Sequence, residues 1–312
     1  MLVDTLWDLP RTAAMLAGFR PMLANAPIGP VVNTHGDGDH WFGNQLTGAR
    51  EIIATRSAAH RMRRHGPGEM KKLRLVARCF RGLSRLPTMG GHRWEVAADY
   101  FEGMMAPFDY TGIRPTHPTT RFSGRMNLDV GGRRVELMEV GPAHTAGDLI
   151  VHVPDERIVI AGDIVFSGVT PVLWDGSVRK WIAACDRILT LKPEIVVPGH
   201  GPLTDAAGIE ALRHYWEFLS NAARRQFSLE RPAASAAAAI VTSDEYQRQP
   251  FATWVGPERT LINVNSLYRK FLKVRSHMGV LERLNVLRKT ALLAEKLRLE
   301  RQTATAPKTG TP

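Results

Sequence analysis

Six residues of this chain, His35-Gly36-Asp37-Gly38-Asp39-His40, carry two imidazoles and two carboxylates inside a segment that runs from Asn33 to Asn44. Three further turns follow in order: Gly141-Pro-Ala-His-Thr-Ala-Gly-Asp148, Ala161-Gly-Asp163 and Pro198-Gly-His-Gly201. Each presents one or two side chains of the type that binds divalent cations, and each closes a strand-like apolar run. Imidazole and carboxylate are the ligands of hydrolytic zinc, manganese and iron sites. Gly36 and Gly38 are expected to let the backbone fold tightly enough for side chains two apart to converge. Sites built where strands end and loops begin are the habit of layered α/β folds, so a mixed α/β chain with a metal site is the first inference.

The rest of the pattern agrees. Leu2–Val3 and Pro30–Val32 run into polar residues as strand ends do, and Val135–Val140 is an apolar strand closing on Gly141. Leu149–Val153 and Arg157–Ile160 read as a hairpin joined through Pro154-Asp155-Glu156. Val178–Leu191 has Ile182, Cys185, Ile188 and Leu189 at helical spacing and is stopped by Pro193. Glu194–Val197 is the next strand. Residues 56–106 are helical in character and, with the Pro/Thr/Gly-rich loop Pro107–Gly124, form an insertion or lid over 56–124. Beyond about residue 209 the chain is helical, Ala-rich at 233–239. Leu281, Leu284, Leu287 and Leu292 predict one amphipathic helix over 278–301 that packs on its own domain. The expected division is a domain at 1–208, a helical extension at 209–302 and a disordered tail at 303–312. No internal repeat is visible.

Composition narrows the classes. The 312 residues suffice for one large α/β domain plus an appendage. Cys79 and Cys185 are far apart and suggest no disulfide framework; Cys185 lies on the apolar face of its helix and is expected in the core. The first residues lack a basic stretch followed by an apolar run, and no run of about 18 apolar residues exists. A cytoplasmic protein without a membrane span is the expectation. The net charge is +11, and residues 56–85 concentrate it: Arg56, Arg61, Arg63, Arg64, Lys71, Lys72, Arg74, Arg78, Arg81 and Arg85 against Glu69 alone. Such a block reads as a solvated helix face, with an anionic substrate, nucleic acid or an acidic membrane surface as the alternatives.

The order and flanks of the four motifs resemble the metallo-β-lactamase fold superfamily over about Leu2 to Leu203. The resemblance implies an αββα sandwich, short at its N-terminus because family members place further strands ahead of the segment at 2–5. A missing upstream segment is the favoured explanation, over a shortened form or another element filling the gap; an uncovered strand edge would invite aggregation. Trp254-Val-Gly-Pro-Glu-Arg-Thr260 and the Asn263-Val…Tyr268-Arg run resemble helical C-terminal extensions of some members.

The resemblance also implies a dinuclear centre. His35 and His144 belong to the first metal, Asp39, His40 and His200 to the second, and Asp163 bridges. Asp39 and Asp163 are the residues expected to act closest to the chemistry. Asp4, Thr145 and Asp148 are expected to orient the ligands from behind. One position departs from the family pattern His-x-His-x-Asp-His: Asp37 stands at the second histidine, as a ligand or as a turn residue. Two divalent ions, most readily zinc, are implied. Counted from the sequence, Asp37 makes the centre less positive and harder, which weakens its Lewis acidity, favours manganese or iron, and predicts better zinc retention on restoring histidine.

The implied reaction is attack by a metal-bound hydroxide on an ester-like, thioester or lactone bond of a small, possibly anionic, molecule. Three readings compete: a nuclease or phosphodiesterase of the same fold, resting on the basic block alone; an iron-dependent redox enzyme, prompted by Asp37; and a non-catalytic member with a degenerate metal site. Nucleic acid is disfavoured because the Arg run lacks interleaved aromatics. Taken singly, His35, His40, His144 and His200 are each compatible with a capping or turn histidine. His60, His65, His92, His117, His152, His214 and His277 are read as ordinary, with reach to a substrate as the lesser alternative for His117 in the Pro/Thr loop. Met104–Met105 is read as packing.

Overall fold

Strands form where β-branched residues cluster. In the computed structural model, which describes residues 1–23, 26–86, 91–274 and 278–305, four short strands make one parallel sheet. These are β1 (Leu2–Val3), β2 (Val31–Val32), β3 (Ile52–Thr55) and β4 (Thr120–Phe122), in that spatial order. Five strands make the second sheet: β5 (Arg125–Val130), β6 (Arg133–Glu139), β7 (Leu149–Val153), β8 (Ile158–Phe166) and β9 (Ile195–His200). Neighbours there run antiparallel except β8 and β9, which are parallel.

Three hydrophobic clusters define the layers. Val32, Ile53, Phe122, Val135, Leu137, Leu149 and Val151 fill the space between the sheets. Alternate residues of the same strands point outward: Ala54 joins Trp41, Phe42, Ala58, Met62 and Phe101 on one side, while Ile150 and Val159 join Trp181 and Trp216 on the other. A period of two sends successive side chains to opposite faces, so each sheet is covered twice. The layering is αββα.

The helices cover both faces. On the first sheet lie α1 (Leu9–Leu23), α2 (Arg56–Arg64), α3 (Gly68–Ser84) and α4 (Gly91–Met105). Thr55 caps α2 by accepting from Ala58 N (3.1 Å) and donates to Gly147 O (2.7 Å), tying this helix to the 141–148 turn. On the second sheet lie α5 (Val178–Thr190) and α6 (Ala206–Ser228), followed by α7 (Ala233–Val241), α8 (Asp244–Gln247), α9 (Thr260–Phe271) and α10 (Val280–Thr305). These C-terminal helices share one apolar cluster with β8 and α5. No described helix is long and apolar enough to cross a membrane.

Several expectations need correction. β8 does not stop at Ile160: it continues to Phe166 through register shifts at 160/162 and 162/166. The loop expected over 107–124 ends in a strand, β4, because Phe122 fills the space between the sheets. Of the expected face of α10, Leu284 and Leu287 pack against the apolar clusters but Leu281 is exposed, and Val286, Thr290, Ala291 and Leu293 are the buried positions. Residues 303–305 belong to α10, and the remainder of the expected tail, 306–312, lies outside the described residues, as does His277. Helix α1 and strands β3 and β5 were not legible: α1 carries an internal Pro21 and buries Thr12 alone, β3 is only four residues, and β5 alternates exposed with half-buried positions. Both cysteines are free, Cys185 buried and Cys79 exposed. In the basic block, Arg56, Arg63, Arg64, Lys72, Arg78 and Arg85 face solvent.

Candidate metal centre

One edge of the sandwich collects the motif residues. The 35–40 loop follows β2, His144 sits between β6 and β7, Asp163 lies in the irregular part of β8, and His200 ends β9. The shift in register turns Asp163 out of the regular ladder. Close approach by the Pro198-Gly-His turn then requires Gly199, because a Cβ there would collide with Asp163 Oδ1. Glycine is required at 36 and 38 for a different reason from the one the sequence suggested. Neither residue has a positive φ; a Cβ at Gly36 would stand 2.9 Å from Arg61 Cβ, and one at Gly38 would meet the ring of Phe42.

Three of the four imidazoles are oriented through their outer nitrogen. His40 Nδ1 is 2.8 Å from Asp4 Oδ2, His144 Nδ1 donates to Val172 O at 2.9 Å, and His35 Nδ1 is 3.1 Å from Thr34 Oγ1. Asp4 also accepts from Thr34 N and Thr34 Oγ1, both at 2.7 Å. Its φ of 60° is unfavourable by on the order of 1 kcal/mol, which these hydrogen bonds offset. With Nδ1 engaged in these three rings, their Nε2 atoms face inward.

The inward atoms converge. Asp163 Oδ2 lies 3.3 Å from His200 Nε2, 3.4 Å from His144 Nε2 and 3.8 Å from His35 Nε2, while its Oδ1 is 3.2 Å from His40 Nε2. Asp39 Oδ2 is 3.4 Å from His200 Nε2 and 3.6 Å from His40 Nε2. Asp37 Oδ2 is 3.3 Å from His144 Nε2 and 3.9 Å from His35 Nε2. Ligand atoms of His35, Asp37 and His144, of His35, His40 and Asp163, and of Asp39, His40 and His200 each fall within 4.8 Å of one another.

The donor set fits divalent cations. His35 Nε2, His40 Nε2, His144 Nε2 and Asp163 Oδ1 are buried without a hydrogen-bond partner. Such atoms are costly to bury unless something accepts their lone pairs. The electrostatics lead to the same place. Asp163 pushes His200 up to about 10 against burial. At His144 burial is outweighed by Asp37 and Asp163, which raise it to about 9. Burial likewise opposes charge on His40, but Asp163, Asp39 and Asp4 hold it well above the ordinary imidazole value. His35 moves down, through burial and its neighbour His40. Three imidazoles thus compensate the carboxylates with protons that a cation would replace.

Residues behind this cluster act on it in different ways. Asp148 accepts from Ala143 N (3.0 Å) and Thr145 N (2.8 Å) and from the Thr145 hydroxyl, so the two shape the turn that carries His144, and the Asp148 charge adds to those that raise His144. The group on that ring is the Val172 carbonyl, which has no side-chain signature to find. Asp37 was also incompletely read: its Oδ1 accepts from Arg61 Nε at 2.6 Å. Burial would raise the Asp37 carboxyl, yet Arg61 and His144 hold it well below the usual range. The charge count made from the sequence omitted this guanidinium. His117 packs against Trp41, centroids 5.3 Å apart, and His152 lies 3.3 Å from Glu136.

A model of the metallo-beta-lactamase superfamily matches residues 1–200, and the chain belongs to that superfamily. Among curated proteins, it is 36% identical over 86 residues to the 2,4-dinitroanisole O-demethylase subunit alpha of Nocardioides sp. (strain JS1661), covering 27% of this chain and 26% of that one. It is 26% identical over 94 residues to the acyl-coenzyme A thioesterase MBLAC2 of Homo sapiens, covering 28% of this chain and 33% of the relative. These matches therefore span a third or less of the relatives' length. The inverting sec-alkylsulfatase Pisa1 of Pseudomonas sp. shares the fold, with a TM-score of 0.60 and 16% identity over 87% of this chain and 45% of that chain. That likeness takes in more of the chain than residues 1–200.

Proposed function

We propose that the protein is a hydrolase that holds two divalent cations and cleaves an ester, thioester or lactone bond of a small molecule. The observation that carries this reading is the convergence of His35 Nε2, His40 Nε2, His144 Nε2 and Asp163 Oδ1, all buried and unpartnered, on one edge of the sandwich. His35, Asp37 and His144 would hold one ion, Asp39, His40 and His200 the other, with the two oxygens of Asp163 between them. Zinc suits the imidazoles, and the Asp37 oxygen also admits manganese or iron. Such a pair of ions supplies an acidified water and stabilises negative charge growing on a substrate oxygen.

The chain's own groups do the positioning. Asp4 and Val172 hold His40 and His144 through Nδ1, so that each Nε2 stays on target as neighbouring groups move. Phe166 stacks on His200 with centroids 5.0 Å apart, and Trp181 sets its edge against His144 at 5.5 Å. These rings exclude water from behind the ligands. His200 is the most accessible of the set, its side chain 38% exposed against 5% for Asp163, so substrate enters on its side. Exposed Leu203 follows His200 closely, and exposed Val255 donates to Gly168 O (3.0 Å) beside the Ser167 N–His200 O hydrogen bond (2.9 Å). An apolar rim there suits a substrate with a hydrocarbon part. The thioesterase relative supports the choice of thioesters, and the O-demethylase adds 2,4-dinitroanisole to the panel.

The test is a screen of aryl esters, acyl thioesters, lactones and 2,4-dinitroanisole with protein loaded with zinc or manganese. At least one ester-type substrate should turn over, stop with chelator and resume on metal addition. Turnover indifferent to chelation would contradict the reading.

A further inference from the structure

Asp37 occupies the place of a histidine in the family pattern, and its carboxylate belongs to a line of charges. Arg61 Nε holds Asp37 Oδ1 at 2.6 Å, and Arg61 Nη1 lies 3.3 Å from Asp175 Oδ2. Arg283 Nη2 completes the line, 2.8 Å from Asp175 Oδ1 and 2.6 Å from Oδ2. The side chains of Asp37, Arg61, Asp175 and Arg283 are 26%, 18%, 12% and 27% exposed, so water screens these charges poorly. Helix α2 approaches the loop closely at Gly36, which fixes where Arg61 can be. Arg283 comes from α10, outside the matched residues 1–200.

We infer that Asp37 and Arg61 together replace the missing histidine: the guanidinium cancels the carboxylate charge and occupies one oxygen, leaving the other as a single, nearly neutral ligand for the first cation. The inference rests on the metal reading above. Without Arg61, an aspartate at this position makes the centre one positive charge poorer than its histidine-bearing counterpart; Arg61 restores that charge. The fork geometry of arginine allows this while Nη1 stays on Asp175. Asp175, itself held by Arg283, keeps the guanidinium from swinging to solvent. The C-terminal helix thereby reaches the metal site through two intervening side chains, and Arg61 acts as a positioning residue.

Charge at the pair then orders metal affinity. On the full chain stripped of metal, zinc and manganese affinities are measured by competition with a chromogenic chelator for the wild type, R61M, R61K, D37H and the double variant D37H/R61M. R61M leaves the Asp37 charge uncancelled and should bind the first cation about tenfold or more tightly than wild type. D37H leaves a guanidinium uncancelled and should bind it about tenfold or more weakly. The double variant and R61K should return to within a few-fold of wild type. R61M weakening the first cation, or D37H matching wild type, would overturn the inference. R61K carries the test if R61M fails to fold: its charge predicts near-wild-type affinity, and loss of the first cation there would also overturn it. A wild-type chain that binds no metal would instead sink the proposed function itself.

Discussion

The two halves of the candidate centre are supported in opposite ways. Behind Asp39, His40 and His200 stands a carboxylate, Asp4, bound to His40 Nδ1 at 2.8 Å. Behind His35, Asp37 and His144 stands a cation, Arg61, bound to Asp37 at 2.6 Å. A carboxylate behind an imidazole raises its basicity, whereas a guanidinium in front of a carboxylate withdraws charge from it. On the proposed reading, the same sheet edge builds one strongly donating ligand group and one muted group, joined by Asp163. The Asp39, His40 and His200 group is expected to retain its ion more tightly.

Removing the joint should have the largest effect. Asp163→Asn is expected to lower turnover by about a thousandfold or more and to deplete both ions, read by initial rates and elemental analysis. His144→Ala and His200→Ala should each cost mainly one ion. If either single variant emptied the whole centre, the division into two groups would be wrong.

Acidity should act next. His144, raised to about 9, and His200, raised to about 10, are protonated at neutral pH in the metal-free protein and must lose those protons to a cation. Zinc affinity should therefore climb as pH rises from neutrality toward those values, by up to about tenfold per pH unit for each proton displaced. Calorimetry in buffers of different ionisation enthalpy reads the proton release directly; a titration without any release would break the electrostatic account. Stability of the metal-free protein runs the other way for these groups. Their raised folded values give stabilisation that is full below the ordinary imidazole value and fades as pH rises through about 9 and 10. Asp37, held low, adds stabilisation above the carboxylate range that is lost as pH falls.

Asp4→Asn removes the charge behind His40 and should weaken the second ion about 10- to 100-fold while sparing the first. Equal weakening of both ions would mean that Asp4 supports the loop as a whole. The smallest change expected is in Thr55→Ala, which deletes the α2 cap and the link to Gly147. It should cost about 1–2 kcal/mol in chemical denaturation and leave the second ion's affinity intact.

How much of this was readable before the structure follows from the range of each interaction. His35, Asp39, His40, His144, Asp163 and His200 announced themselves because each sits in a short turn whose neighbours are diagnostic. The mixed α/β class followed from the same turns, since they mark strand ends, and the sandwich from the family resemblance that their order carries. Arg61 could not be singled out: it is 24 residues from Asp37 and one of ten basic residues in one run, most of which face solvent among those described. The Val172 carbonyl left no trace because backbone groups have no residue signature. Asp163 was found while its strand was misjudged, because a bulge breaks the periodicity that marks a strand. Asp175 and Arg283 lie 108 residues apart, and only the packing of α10 brings them together.

The most direct test of the proposed dinuclear centre is the metal content of the full chain, purified without a metal-affinity step and measured by elemental analysis. Two divalent ions per chain are predicted, falling together in Asp163→Asn. A single ion, or none after incubation with excess zinc and manganese, would contradict it.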